Sequence, residues 1–96
     1  MKLSEYQTES KKYNLQDWDM KYLLIALSGE VGELCNAYKK QLRGDVTPHL
    51  SREHLLSECG DILYYLTRVC EKIGGLEQAA LSNIEKIKGR YGGGAA

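Results

Sequence analysis

From Met20 to Arg43 the chain holds one uninterrupted amphipathic pattern. Leu23, Leu24, Leu27, Val31, Leu34, Tyr38 and Leu42 return mostly every three or four residues, the period of one face of an α-helix. A helix of that span is a rod of roughly 36 Å. A second stripe follows, made of Leu55, Leu56, Cys59, Ile62, Leu63, Leu66, Val69, Cys70 and Ile73. Pro48 is the only proline, phenylalanine is absent and β-branched alternation is scarce. These patterns predict an all-α protein.

Four helices are expected. The first runs from about Leu3 to Tyr13, with Ser4 and Gln7 spaced as a capping box. A link, Asn14 to Asp19, offers Asp17 or Asp19 to cap the second helix, Met20 to Arg43, which Gly44 and Pro48 end. Ser51 is placed to cap the third, and Gly74 and Gly75 to stop it. The fourth runs from about Leu76 to Tyr91, with Leu81, Ile84 and Ile87 on one side. A single domain spans 1–96, with a core over about 3–91 and a flexible tail at 92–96. Two long helices and two short ones enclose little core alone. The wide stripes on the second and third are therefore expected to pack on each other and on a second copy, as a bundle across a dimer interface.

The 13 basic and 13 acidic residues cancel, which argues against a general electrostatic grip on nucleic acid or an anionic membrane. The opening segment is too polar for a signal peptide, and no apolar run approaches the roughly 18 residues of a membrane span. A cytoplasmic protein is expected. Cys35, Cys59 and Cys70 lie within apolar patterns without a CxxC spacing and read as free buried thiols.

The acids carry the chemistry. Glu30 and Glu33 are three residues apart, as are Glu58 and Asp61, so each pair sits about 60° apart around its helix, bordering the apolar stripe. No Lys or Arg stands three or four positions from any of the four; the only basic neighbour is His54. Carboxylates gathered on facing helices are costly unless they take up protons or a cation joins them. An all-oxygen site suits Mg²⁺, Mn²⁺ or Ca²⁺. It lacks the Glu-x-x-His of a di-iron bundle and the His or Cys of a zinc site. Carboxylate-bound Mg²⁺ points to phosphate chemistry.

Gly-Glu30-Val-Gly-Glu33 followed by Glu58-Cys-Gly-Asp61 resembles the ExxE…ExxD signature of the MazG-like, all-α nucleoside triphosphate pyrophosphohydrolases. Glu33 to Lys40, Asp61 to Leu66 and Asn83 to Tyr91 extend the likeness over roughly residues 20 to 91, in order. The resemblance implies a four-helix MazG-like protomer in a dimer or a tetramer of two tight dimers. It also implies Mg²⁺-dependent cleavage, with Mn²⁺ a substitute, of a nucleoside triphosphate to the monophosphate and pyrophosphate. Carried onto this chain, Glu30, Glu33, Glu58 and Asp61 become the metal ligands, and Glu33 and Glu30 the catalytic candidates, Glu33 first as orienter of the attacking water. Lys39, Lys86 and Arg90 become partners for phosphate oxygens, across a subunit boundary or within one chain. Asn83 becomes a sugar or phosphate contact, and Tyr65 a base or sugar contact. Many members carry a Glu where this chain has Gly29, which leaves the metal count open.

Gly29 and Gly32 cost roughly 0.5–1 kcal/mol each inside a helix, which suggests close approach by a neighbouring helix or substrate. Trp18 reads as a packing anchor before a base-stacking group, and His49 and His54 are assigned no chemistry. Two rival readings stand beside the hydrolase: a phosphoribosyl-ATP pyrophosphohydrolase of the same fold, and a non-catalytic helical dimer that binds a protein partner.

Overall fold

In the computed structural model, residues 1–13, 16–45 and 50–92 are described. They form α1 (Leu3–Lys11), α2 (Met20–Arg43), α3 (Arg52–Glu71) and α4 (Leu76–Ile87), and α4 runs on into a π-helical turn, Lys88–Gly92. No strand occurs among them, and no helix is long and apolar enough to cross a membrane. The fold is all-α.

Local chemistry sets most of the boundaries. The Asp19 carboxylate accepts from the Tyr22 backbone N–H at 2.9 Å and starts α2, and Gly44, at φ 86°, closes it. The Ser51 hydroxyl accepts from the His54 N–H at 3.1 Å and starts α3. Gly74 and Gly75, at φ 133° and 106°, turn the chain into α4 through a conformation that side chains with a Cβ rarely adopt. Two expectations are corrected here. The capping pattern of α1 starts two residues earlier: the Lys2 N–H donates to Glu5 at 3.2 Å, so the box pairs Lys2 with Glu5 rather than Ser4 with Gln7, and the helix ends at Lys11. The α-helical part of α4 stops at Ile87. Pro48 and His49 lie outside the described residues, as do Asn14, Leu15 and 93–96.

Helices α2 and α3 form an antiparallel hairpin. Helix α1 and the start of α4 close one of its ends; α4 touches α1 and α3 and, among the described residues, makes no contact with α2. The closed end holds the core: Leu23, Val69, Cys70 and Leu76 are buried, as are Thr67 and Arg68. At that end Arg68, 2% exposed, joins α1 to α3. Its Nη2 donates to the Gln7 carbonyl at 3.1 Å and the Ser10 hydroxyl at 2.8 Å, and its Nε lies 2.9 Å from a Glu71 carboxylate oxygen. The Gln7 side-chain carbonyl accepts from the Leu76 N–H at 2.8 Å, which caps α4 from α1. A buried guanidinium is tolerable because carbonyl, hydroxyl and carboxylate replace the lost water.

Elsewhere the hairpin is open. The Leu50 N–H donates to the Gln41 side chain at 2.7 Å across its far end, but Leu42 there is 72% exposed. Leu24, Ile25 and Val31 on α2, Leu55, Leu56 and Leu66 on α3, and Leu81, Ile84 and Ile87 on α4 are exposed as well. The accessible surface is 7311 Å², against roughly 5,500 Å² for a compact chain of this mass. The radius of gyration is 16.4 Å, against about 12–13 Å for a compact fold of this length. The expected packing of the two stripes on each other is present, yet it covers only part of them. Cys35 and Cys59 are also exposed, contrary to expectation, and only Cys70 is buried. A Cβ built on Gly29 or Gly32 meets nothing within 4 Å, so no helix of the same protomer makes the expected close approach.

Removing the Arg68 side chain strands Glu71 and the α1 acceptors at the end that holds the core. Arg68→Ala should cost about 3 kcal/mol or more in denaturant unfolding, whereas Lys12→Ala, in an exposed pair with Glu9 at 2.9 Å, should cost under about 0.5 kcal/mol.

Candidate metal centre

The α2–α3 hairpin brings two acids of α2 to one of α3. One carboxylate oxygen from each of Glu30, Glu33 and Glu58 lies within 4.8 Å of the others. Glu30 and Glu58 are half-buried, and Glu33 is exposed. The placement follows from register. Glu30 is two turns past Leu23, and Glu58 is nearly three turns before Arg68, so the packing that buries Leu23 and Arg68 sets these turns opposite one another. Oxygens bound to one octahedral ion with bonds of about 2.1 Å sit roughly 3.0 Å apart when adjacent and 4.2 Å when opposite. The three oxygens, within 4.8 Å of one another, would have to draw slightly closer to share one ion.

The electrostatics are those of anions without a counter-charge. Burial pushes the Glu30 carboxyl above its ordinary pKa, and the charges of Glu33, Asp61 and Glu58 push it further the same way. One Glu58 oxygen, Oε2, is buried without a hydrogen-bond partner. Among the described residues, the only basic group within ion-pair distance of any of the four acids is His54, whose Nε2 is 3.6 Å from Glu58 Oε1. The donor set therefore fits a hard divalent cation: oxygen only, anionic, partly desolvated, with an unused lone pair at Glu58.

The sequence-derived residues divide into those the fold gathers and those it leaves apart. Glu30, Glu33 and Glu58 meet. Asp61 is exposed and stands outside the three-oxygen group, although its charge reaches Glu30. Tyr65 belongs to the same neighbourhood. Burial raises its phenol pKa, with smaller contributions in the same direction from Tyr22, Glu30, Tyr64 and Asp61. Lys39 is exposed, six residues beyond Glu33, or roughly 9 Å along the helix axis. Asn83, Lys86 and Arg90 lie on α4 and its π-helical extension, which does not contact α2. The Arg90 guanidinium sits 5.7 Å from the Tyr91 ring centroid. No residue from α4 joins the acid cluster within one protomer.

His54, assigned no chemistry from the sequence, lies beside Glu58 as its place in the sequence implies. Its spacing of four from Glu58 on one helix was the available signal. The Arg68 network was missed altogether, because Gln7 and Ser10 are about 60 residues away in sequence.

Comparison with known proteins adds one relative. The gene 37 protein of Mycobacterium phage L5 is 31% identical over 75 residues, an alignment covering 74% of this chain and 65% of the phage protein. The chain thus spans just under two thirds of that relative's length. No family model and no solved structure matches.

Because the Glu30 carboxyl is held above its ordinary value of 4.5, the folded state binds that proton more tightly than the unfolded chain does. Its stabilising contribution is complete below the ordinary value and is lost as pH rises through the folded value. For metal-free protein, Glu30→Gln should raise Tm near pH 7 and by much less near pH 4. Adding Mn²⁺ or Mg²⁺ should raise the parent's Tm near pH 7 and narrow the gap.

Proposed function

We propose that this chain is a Mg²⁺-dependent nucleoside triphosphate pyrophosphohydrolase that cleaves (d)NTP to (d)NMP and pyrophosphate in nucleotide-pool clean-up. Convergence of Glu30, Glu33 and Glu58 within 4.8 Å, with no lysine or arginine among the described residues paired to them, carries this reading. The motif resemblance supplies the reaction class. Glu30, Glu33 and Glu58 would hold the ion, with Asp61 completing the set after a rotamer change. A bound divalent ion would supply charge withdrawal from phosphate oxygens and an acidified water. Glu33, the exposed member, is open to solvent and suited to orient a water and accept its proton. Tyr65, beside Glu30 and Asp61, offers a ring and a hydroxyl to sugar or base.

The working form in this reading is a homo-oligomer, a dimer or a pair of dimers. Support comes from the excess surface and from the apolar faces left open on α2, α3 and α4. Burying apolar area at about 25 cal/mol per Å² makes such faces favourable to cover. Lys86 and Arg90 do not reach the acids of their own chain, so a second copy is the source of phosphate-neutralising cations that this reading favours. The open space over Gly29 and Gly32 leaves room for that approach.

The test is a panel of NTPs and dNTPs with Mg²⁺, assayed for pyrophosphate. Release from at least one nucleotide is expected, with Glu33→Gln and Asp61→Asn lowering it by roughly 100-fold or more while metal-free Tm holds or rises. No release from any nucleotide overturns the enzyme reading, and release from phosphoribosyl-ATP alone selects the other hydrolase. Light scattering should return at least twice the 10.8 kDa chain mass; a monomer mass overturns the oligomer.

A further inference from the structure

A second site of opposite charge lies at the closed end of the hairpin. A cavity of about 100 Å³ opens between the end of α1, the start of α2 and the end of α3, lined by Lys11, Asp17, Trp18, Leu23, Arg68, Glu71 and Lys72. Its three cations and two carboxylates leave an excess of one positive charge. The carboxylates hold the two lysines loosely. Lys11 Nζ is 3.8 Å from Glu71 and Lys72 Nζ is 3.7 Å from Asp17, whose side chain is fully exposed. Exposed pairs at that separation contribute little and open readily.

Arg68 makes the cavity more than a surface dent. Its side chain is 1% exposed, yet Nη1 has no hydrogen-bond partner. Nε, although 2.9 Å from Glu71, has none in hydrogen-bond geometry. A buried guanidinium N–H left unpaired costs on the order of 1–3 kcal/mol, so its surroundings favour an added acceptor. That volume gives room for a small tetrahedral oxyanion beside the guanidinium.

We propose that the cavity between Lys11, Arg68 and Lys72 binds inorganic phosphate or an anion of the same shape. The anion would rest between the two lysines above the guanidinium, on the side away from Glu71, which stays beside Nε. Arg68 would then serve as the charged floor of the site as well as the tie between α1 and α3. The site is about two helical turns along α3 from Asp61, does not depend on the nucleotide reading and needs no divalent ion.

Trp18, the only tryptophan, lines the cavity and stacks on Tyr22 at a centroid separation of 3.9 Å, so its fluorescence reports on occupancy. The experiment titrates inorganic phosphate into full-length protein in EDTA, at ionic strength held constant with chloride, reading Trp18 emission and Tm together. A saturable emission change with a rise in Tm is expected, since an anion bridging α1 and α3 stabilises only the folded state. Lys11→Gln/Lys72→Gln, which alters only exposed ends, should weaken binding roughly tenfold or more and leave the phosphate-free Tm nearly unchanged. An equal response to added chloride, no response at all, or unchanged affinity in the double variant would overturn the proposal and leave ordered water as the partner of Arg68. Glu33→Gln serves as the control for the acid cluster: its phosphate titration should match the parent's, and loss of the signal there would assign the anion to the acids instead.

Discussion

Packing α2 against α3 puts like charges together. The contact that buries Leu23 also sets Glu30 and Glu33 across from Glu58, and the helices cannot keep their register without accepting that repulsion. The hydrophobic gain at the closed end outweighs it: burying one large aliphatic side chain is worth about 1.5–3 kcal/mol, while partly solvated carboxylates can relax by protonation or by turning outward. The acids are thus supported by a stable end that they do not build, and their local cost is tolerated because stability lies elsewhere.

The contrast between the two charged regions makes the point sharper. Arg68 is more deeply buried than any of the acids, but most of its surroundings oppose its charge: Glu71 beside it, the Gln7 carbonyl and Ser10 hydroxyl as acceptors, and the Tyr64 ring with its centroid 5.1 Å away. Around Glu30 the surroundings repeat the charge. One region ties α1 to α3; the other gathers carboxylates of one sign between α2 and α3. Tyr65 lies between them along α3.

Much of this was legible in the sequence because it is local. The stripe from Leu23 to Leu42 fixed α2 to its observed limits, and Asp19, Gly44 and Ser51 acted as caps through contacts within a few residues. The acid pairs were visible from their spacing and from the missing lysines. What the sequence hid was non-local. Gln7 capping α4, Arg68 reaching α1, and α4 turning away from α2 depend on how helices meet, which periodicity does not encode. The exposure of Cys35 and Cys59 was misread for a related reason: an apolar stripe says which face seeks cover, not whether its own chain supplies it.

The most direct measurement is the anomalous scattering of manganese in crystals soaked with Mn²⁺. A peak bonded to oxygens of Glu30, Glu33 and Glu58 is expected, with their side chains drawn inward to meet it. Carboxylates turned into bulk solvent with no manganese between them would contradict divalent-ion binding, and with it the phosphate chemistry proposed for this chain.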